Sequence, residues 1–192
     1  MKDDAFPDYK KKDSVVVVYT GEGKGKTSAA VGLMARALGT DWRVAFIQFI
    51  KTWPVGEHDF IQKIEPVFGD KLLFYKGGKG FYNAGELSEE NVSAQEHKKA
   101  ARETYAQALK CATSGEFDLV ICDEINNAVY HNLISEKDVE DLIRHKAQNT
   151  SLCLTGRNFS DHLQPLADIV TNMTKVRHHF DEKYLANKGI DF

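Results

Sequence analysis

The residues best suited to chemistry lie in the run Gly21-Glu22-Gly23-Lys24-Gly25-Lys26-Thr27, followed by Ser28. Three glycines let a backbone curl so that its N–H groups face inward, a geometry that suits phosphate oxygens. Lys26 supplies a mobile positive charge, and the Thr27 hydroxyl suits a magnesium or manganese ion. Lys24 adds charge at the mouth of the loop. The common phosphate-loop pattern has a glycine one position before Gly21, where this chain has Thr20. The loop is therefore one residue shorter than usual.

A second set of polar residues follows the apolar run 117–122, which ends in Asp123-Glu124. In an open parallel sheet, ligands bind outside the carboxyl ends of the strands. That rule aims Asp123 and Glu124 at the same edge as Lys26 and Thr27, where a carboxylate holds a metal directly or through water. Thr27, Asp123 and Glu124 are the expected metal ligands, and Lys26 and Glu124 the expected catalytic groups.

These groups need elements to carry them. Residues 15–20, VVVVYT, form a β-branched run that suits a strand buried on both faces. Residues 26–38 have helical spacing of apolar positions and end at Gly39. Further strands are expected over 43–50, 71–75, 117–123, 151–155 and 169–173. Residues 51–59, with Pro54 and Gly56, read as a loop, and the glycine-rich stretch 76–87 as irregular. Helices are expected over 89–113, capped by Ser88, and over 135–146, capped by Ser135 with Asp138 three residues on. Alternation of strand and helix predicts an α/β fold, a P-loop NTPase-like parallel sheet of about six strands with helices on both faces. Residues 1–13 read as a flexible N-terminal arm and 14–192 as one domain.

Composition narrows the function. A net charge of −3 offers no basic field for nucleic acid. No stretch reaches the roughly 20 apolar residues that cross a bilayer. The three cysteines, Cys111, Cys122 and Cys153, have no Cys-x-x-Cys spacing and read as buried thiols of a reducing cytoplasm. The residues alone leave the reaction open: a kinase, an ATP hydrolase and a non-catalytic nucleotide carrier share these parts.

Beyond the loop, the chain resembles the corrinoid adenosyltransferase family of the phosphate-loop type. The resemblance runs through Gly21–Ser28, Gln48-Phe49-Ile50-Lys51 with Trp53-Pro54 and Gly56-Glu57, and Asp118–Asn126. It continues through Leu154–Asn158, Leu166-Ala167-Asp168, Val176–Asp181 and Lys188–Phe192. It implies transfer of the 5′-deoxyadenosyl group of ATP to the Co(I) of cobalamin or another corrinoid, with release of tripolyphosphate. It further implies a cytoplasmic homodimer, a reductase or flavodoxin as electron donor, and ATP bound in the reverse of the usual sense. Arg157, at a strand end, is the stronger candidate for nucleotide contact; Arg36 reads equally well as part of a solvated helix face.

The family carries Gly-Phe-Thr-Trp where this chain has Gly80-Phe81-Tyr82-Asn83. The resemblance assigns Phe81 to the wall against the corrin, where it displaces the lower ligand of cobalt. With Asn83 at the tryptophan position, either Tyr82 completes the wall or the neighbourhood is shifted by a residue; alternatively the corrinoid has no base to displace, or the base is displaced less well. Thr52 replaces a family glycine, and Arg177 a lysine.

Overall fold

The computed structural model describes residues 8–51, 53–80 and 92–192. Six parallel strands form one sheet: β1 (Val16–Thr20), β2 (Val44–Gln48), β3 (Leu72–Lys76), β4 (Leu119–Asp123), β5 (Ser151–Thr155) and β6 (Ile169–Asn172). Their spatial order is β3-β2-β4-β5-β1-β6. The helices are α1 (Lys26–Leu38), α2 (Gly56–Phe68), α3 (Ala94–Ser114), α4 (Ile125–Tyr130) and α5 (Glu136–His145).

Two-residue periodicity sorts the strand side chains into two cores. Val16, Val18, Ala45, Ile47, Val120, Leu152 and Leu154 face α3 and α5, which contribute Ala101, Ala108, Cys111, Val139 and Leu142. Val44, Phe46, Leu119, Ile121 and Cys153 face the other way, onto Ala30, Met34 and Leu38 of α1 and Ile61 of α2. β2, β4 and β5 are buried along their whole length, as strands covered on both faces must be. β3 and β6 are the edge strands, and the four residues of β6 are exposed. The expected parallel sheet and two-sided cover are both present.

Three elements depart from the sequence reading, one of them α4, a short helix after Glu124 where none is expected. Residues 51–59 were expected as loop, but α2 begins at Gly56. Its signal is weak because Pro66 lies inside it and Ile61 is its only fully buried residue. The helix holds because that face docks beside Phe46 and Leu72. The long helix expected over 89–113 starts at Ala94, where Ser93 forms the capping box with Glu96 as partner. Ser88 itself lies outside the described residues. The Ser135–Asp138 box caps α5 as expected.

At the N-terminal side, Lys12 donates to Asp168 and Asp13 accepts from Gln148. Cys111, Cys122 and Cys153 are free and buried, and burial pushes all three thiols up in pKa. No helix among the described residues is long and apolar enough to cross a membrane.

Candidate active site

Thr20 is still strand. It pairs with Asn172 in β6, its carbonyl accepts from the Met173 N–H at 2.8 Å, and its hydroxyl accepts from the Phe159 N–H at 3.2 Å. The loop therefore starts at Gly21, and a glycine at position 20 has no turn to make. Gly21 and Gly23 are glycine for a steric reason as well. A Cβ on Gly21 would lie 2.1 Å from Asn172 Oδ1 and 2.6 Å from Met173 O. One on Gly23 would also lie 2.6 Å from Met173 O. The chain leaving β6 is pressed against the loop, and the Gly23 N–H donates to Met173 O at 2.6 Å.

Gly25 is the N-cap of α1 and gives that helix no side-chain cap. The first-turn N–H groups at Lys26, Thr27 and Ser28 thus point from the positive end of the helix dipole toward the loop, an arrangement that holds anions. Lys26 Nζ lies inside the curl, donating to Gly21 O and Gly23 O at 2.7 Å each. Burial is the main influence lowering its pKa.

β4 delivers Asp123 beneath the loop. β5 lies between β4 and β1, and its last residue fills the gap. Thr155 Oγ1 donates to Asp123 Oδ1 at 2.7 Å and accepts from the Glu124 N–H at 2.9 Å. Thr27 Oγ1 donates to Asp123 Oδ1 at 3.0 Å. Gln48, paired with Asp123 across β2 and β4, donates to Oδ2 at 2.9 Å. Asp123 is fully buried, so these donors replace the water it has lost.

Glu124 has a left-handed backbone, φ 64°, rare for a residue with a side chain and the kind of strain that collects at functional sites. Its carboxylate accepts from Asn127 Nδ2. Burial first, then the neighbouring Asp123 carboxylate, push its pKa up to about 7, while Lys51, Lys26 and Arg157 pull it back.

Lys51, in the loop after β2, closes the group. Its Nζ is 2.8 Å from Glu57 Oε1 and 3.3 Å from Thr27 Oγ1. Burial is the largest single influence on it and lowers its pKa, yet Asp123, Glu57 and Glu124 together outweigh that and raise it. Lys51, Gln48, Glu57 and Thr155 were not among the expected site residues. Gln48 and Thr155 carried a readable signal, since each is a polar residue ending an apolar strand at the ligand edge.

Above these groups opens a cavity of about 1460 Å³. Its walls include Glu22–Ser28, Lys51, Glu124, Arg157 and the C-terminal stretch around Asp191. Pockets for drug-sized ligands run to roughly 1,000 Å³, so this one has room for a nucleotide and part of a second large molecule. Arg157 is half-exposed on the wall and ion-pairs with Glu22 at 3.0 Å. Arg36 is exposed near the far end of α1, about 15 Å along the axis from Lys26, and does not line the cavity. Phe81 and Tyr82 lie outside the described residues.

Two carboxylates and a hydroxyl make a hard, all-oxygen donor set. That suits magnesium, which usually takes one or two protein carboxylates and completes its shell with phosphate and water. Among the described residues no cluster of three or more His, Cys, Asp or Glu side chains offers a metal site. A cation here would therefore depend on substrate oxygens.

A parallel sheet with a phosphate loop after one strand, a buried aspartate ending another and helices on both faces defines a P-loop nucleotide-binding protein. The flagellar accessory protein FlaH from Methanocaldococcus jannaschii has a similar fold, with TM-score 0.53 and 14% identity over 88% of this chain and 75% of FlaH. Within that class, the chain belongs to the ATP:corrinoid adenosyltransferase family, described as BtuR/CobO/CobP, whose profile matches residues 12–192. It is 31% identical to a corrinoid adenosyltransferase of Escherichia coli K12, over 93% of this chain and 85% of the relative. It is 32% identical to one of Pseudomonas aeruginosa PAO1, over 93% and 83%.

Proposed function

We propose that the protein transfers the 5′-deoxyadenosyl group of ATP to the Co(I) of cobalamin or a related corrinoid. The cobalt electron pair forms the Co–C5′ bond, the C5′–O5′ bond breaks, and its electrons leave with tripolyphosphate. Co(I) is itself the nucleophile, so no Ser, Cys or His need attack. The protein's tasks are to hold C5′ over the cobalt and to stabilise charge gathering on the leaving group.

The observation that carries this reading is Lys26 Nζ inside the loop, above Thr27 and a buried Asp123 joined at 3.0 Å. Lys26 and the first-turn N–H groups of α1 bind the triphosphate. Thr27, Asp123 and Glu124 would hold magnesium or manganese, which neutralises phosphate charge when bound. Glu22, Lys24, Ser28 and Arg157 complete the nucleotide wall. Reverse binding of ATP, with the triphosphate as leaving group, suits a loop that has one residue fewer and a Gly23 N–H already committed to Met173. Phe81 and Tyr82 wall the corrin. A cytoplasmic homodimer supplied with electrons by a reductase or flavodoxin completes the proposal.

The test is anaerobic incubation with ATP, Mg²⁺ and chemically reduced cobalamin. Adenosyl transfer yields tripolyphosphate and a photolabile cobalt–carbon product. An unchanged cob(I)alamin spectrum with ADP released would instead mark an ATP hydrolase.

A further inference from the structure

The amide of Gln48 has a decided orientation: Asp123 sets which end faces it, and His58 holds the other end. Gln48 is fully buried at the end of β2. Its Nε2 donates to Asp123 Oδ2 at 2.9 Å, and its Oε1 is 2.5 Å from Nε2 of His58 in the first turns of α2. A carboxylate only accepts, so the NH₂ end of the amide faces Asp123. The carbonyl end then faces His58, and the bond requires His58 Nε2 to carry the proton. Rotating the amide by half a turn would bring two acceptors together at Asp123 and two donors together at His58.

We propose that His58 is a positioning residue: by donating through Nε2 to Gln48, it holds the amide that donates to Asp123, and so fixes how that carboxylate faces Thr27 and a divalent cation. This rests on the metal reading given above. Without the Gln48 donor, the strongest remaining contact at Oδ2 is Thr27 Oγ1 at 3.3 Å. Oδ1 keeps Thr27 at 3.0 Å and Thr155 at 2.7 Å. The carboxylate is then anchored at one oxygen and free to swing about it. His58 is itself held in place: its ring packs 5.6 Å from that of Phe74. Its neighbour Glu57 carries the second arm of α2 into the site, through Lys51 to Thr27. Burial lowers the His58 pKa, followed by the charge of Lys76, which favours the neutral ring. The relay survives protonation, because Nε2 donates in either state.

The experiment compares His58→Leu, which removes the donor, with His58→Gln, whose amide nitrogen reaches as far as Nε2. Free and bound Mn²⁺ are measured by electron paramagnetic resonance with ATP present, and ATP binding is measured separately in EDTA. Outer partners of metal-binding carboxylates are typically worth 10- to 100-fold in metal affinity. His58→Leu is therefore expected to weaken Mn²⁺ binding about ten-fold, to leave ATP binding in EDTA within roughly two-fold, and to be rescued by His58→Gln. Should His58→Leu fail to fold, His58→Asn takes its place, its shorter amide stopping short of Gln48. Mn²⁺ affinity unchanged in the Leu or Asn variant, while Asp123→Asn loses it, overturns the relay and leaves the metal reading standing. Unchanged affinity in Asp123→Asn overturns the metal reading and the relay with it.

Discussion

Lys24 Nζ lies 2.6 Å from Asp191 Oδ1, tying the phosphate loop to the far end of the chain. The aspartate is the covered partner and the lysine the half-exposed one. Asp191 also draws His179 to 3.5 Å and accepts from the Asn187 N–H at 2.7 Å, so one carboxylate gathers the C-terminal segment over the cavity. Lys24 is therefore partly neutralised when a triphosphate arrives. Asp191→Asn is expected to tighten ATP binding about two- to five-fold, the modest size usual for a partly exposed pair. Titration calorimetry at low and high salt checks this, and the gain should shrink as salt rises.

The loop glycines make a structural prediction. Gly21→Ala combines a left-handed φ of 99° with a Cβ 2.6 Å from Met173 O, whereas Gly23→Ala meets only the backbone contact. Both are expected to lower stability, Gly21→Ala more, by about 1–3 kcal/mol for the strained backbone alone. Urea unfolding measures the difference. Equal stability of wild type and Gly21→Ala would show that the Met173 segment yields freely.

Thr155→Val keeps the shape of the side chain and removes a hydroxyl that serves both Asp123 and the Glu124 N–H. A buried carboxylate short of one donor costs about 1–3 kcal/mol. The variant is expected to unfold at lower urea and to bind Mn²⁺ more weakly. An accompanying rise in KM for metal-bound ATP would place the defect at the cation.

Asp168 links the ends of the fold, accepting from Lys12 and, at 2.8 Å, from the Val16 N–H that opens β1. Burial raises its pKa, but the bonds from Lys12 and Val16 outweigh it and hold the folded value below the ordinary 3.8. A carboxyl lowered by folding stabilises the fold above its unfolded pKa and loses that contribution as pH falls through the folded one. Wild type should therefore lose stability as pH drops below about 4, and Asp168→Asn should lose less over the same window. Urea midpoints between neutral and strongly acid pH read this directly.

Phe81→Ala tests the proposed corrin wall. Its adenosylation rate is expected to fall more with cobalamin entering as Co(II) than with a corrinoid lacking a lower base. Equal loss on both substrates would remove ligand displacement from the role of Phe81.

Much of the site was legible before any tertiary contact. The G-K-T core after a β-branched run, and an apolar strand ending in Asp-Glu, place a phosphate cradle and a carboxylate at one sheet edge. Both signals depend only on neighbours in sequence. α2 was not legible, because Pro66 and a single buried isoleucine leave little local pattern, and the helix is stabilised by docking beside Phe46 and Leu72.

The sequence by itself determined the alternation of strands and helices, the loop and the family, since these rest on local geometry and residue order. Only the tertiary structure decided that Thr20 pairs with Asn172, that Met173 leaves no room for a Cβ at Gly21, and that Arg36 stands away from the cavity. It also decided that Asp123 is held by Thr27, Gln48 and Thr155. Those four residues come from four different elements of the fold. Strand order brings them within hydrogen-bond distance, and strand order depends on which faces can be buried together rather than on any local pattern.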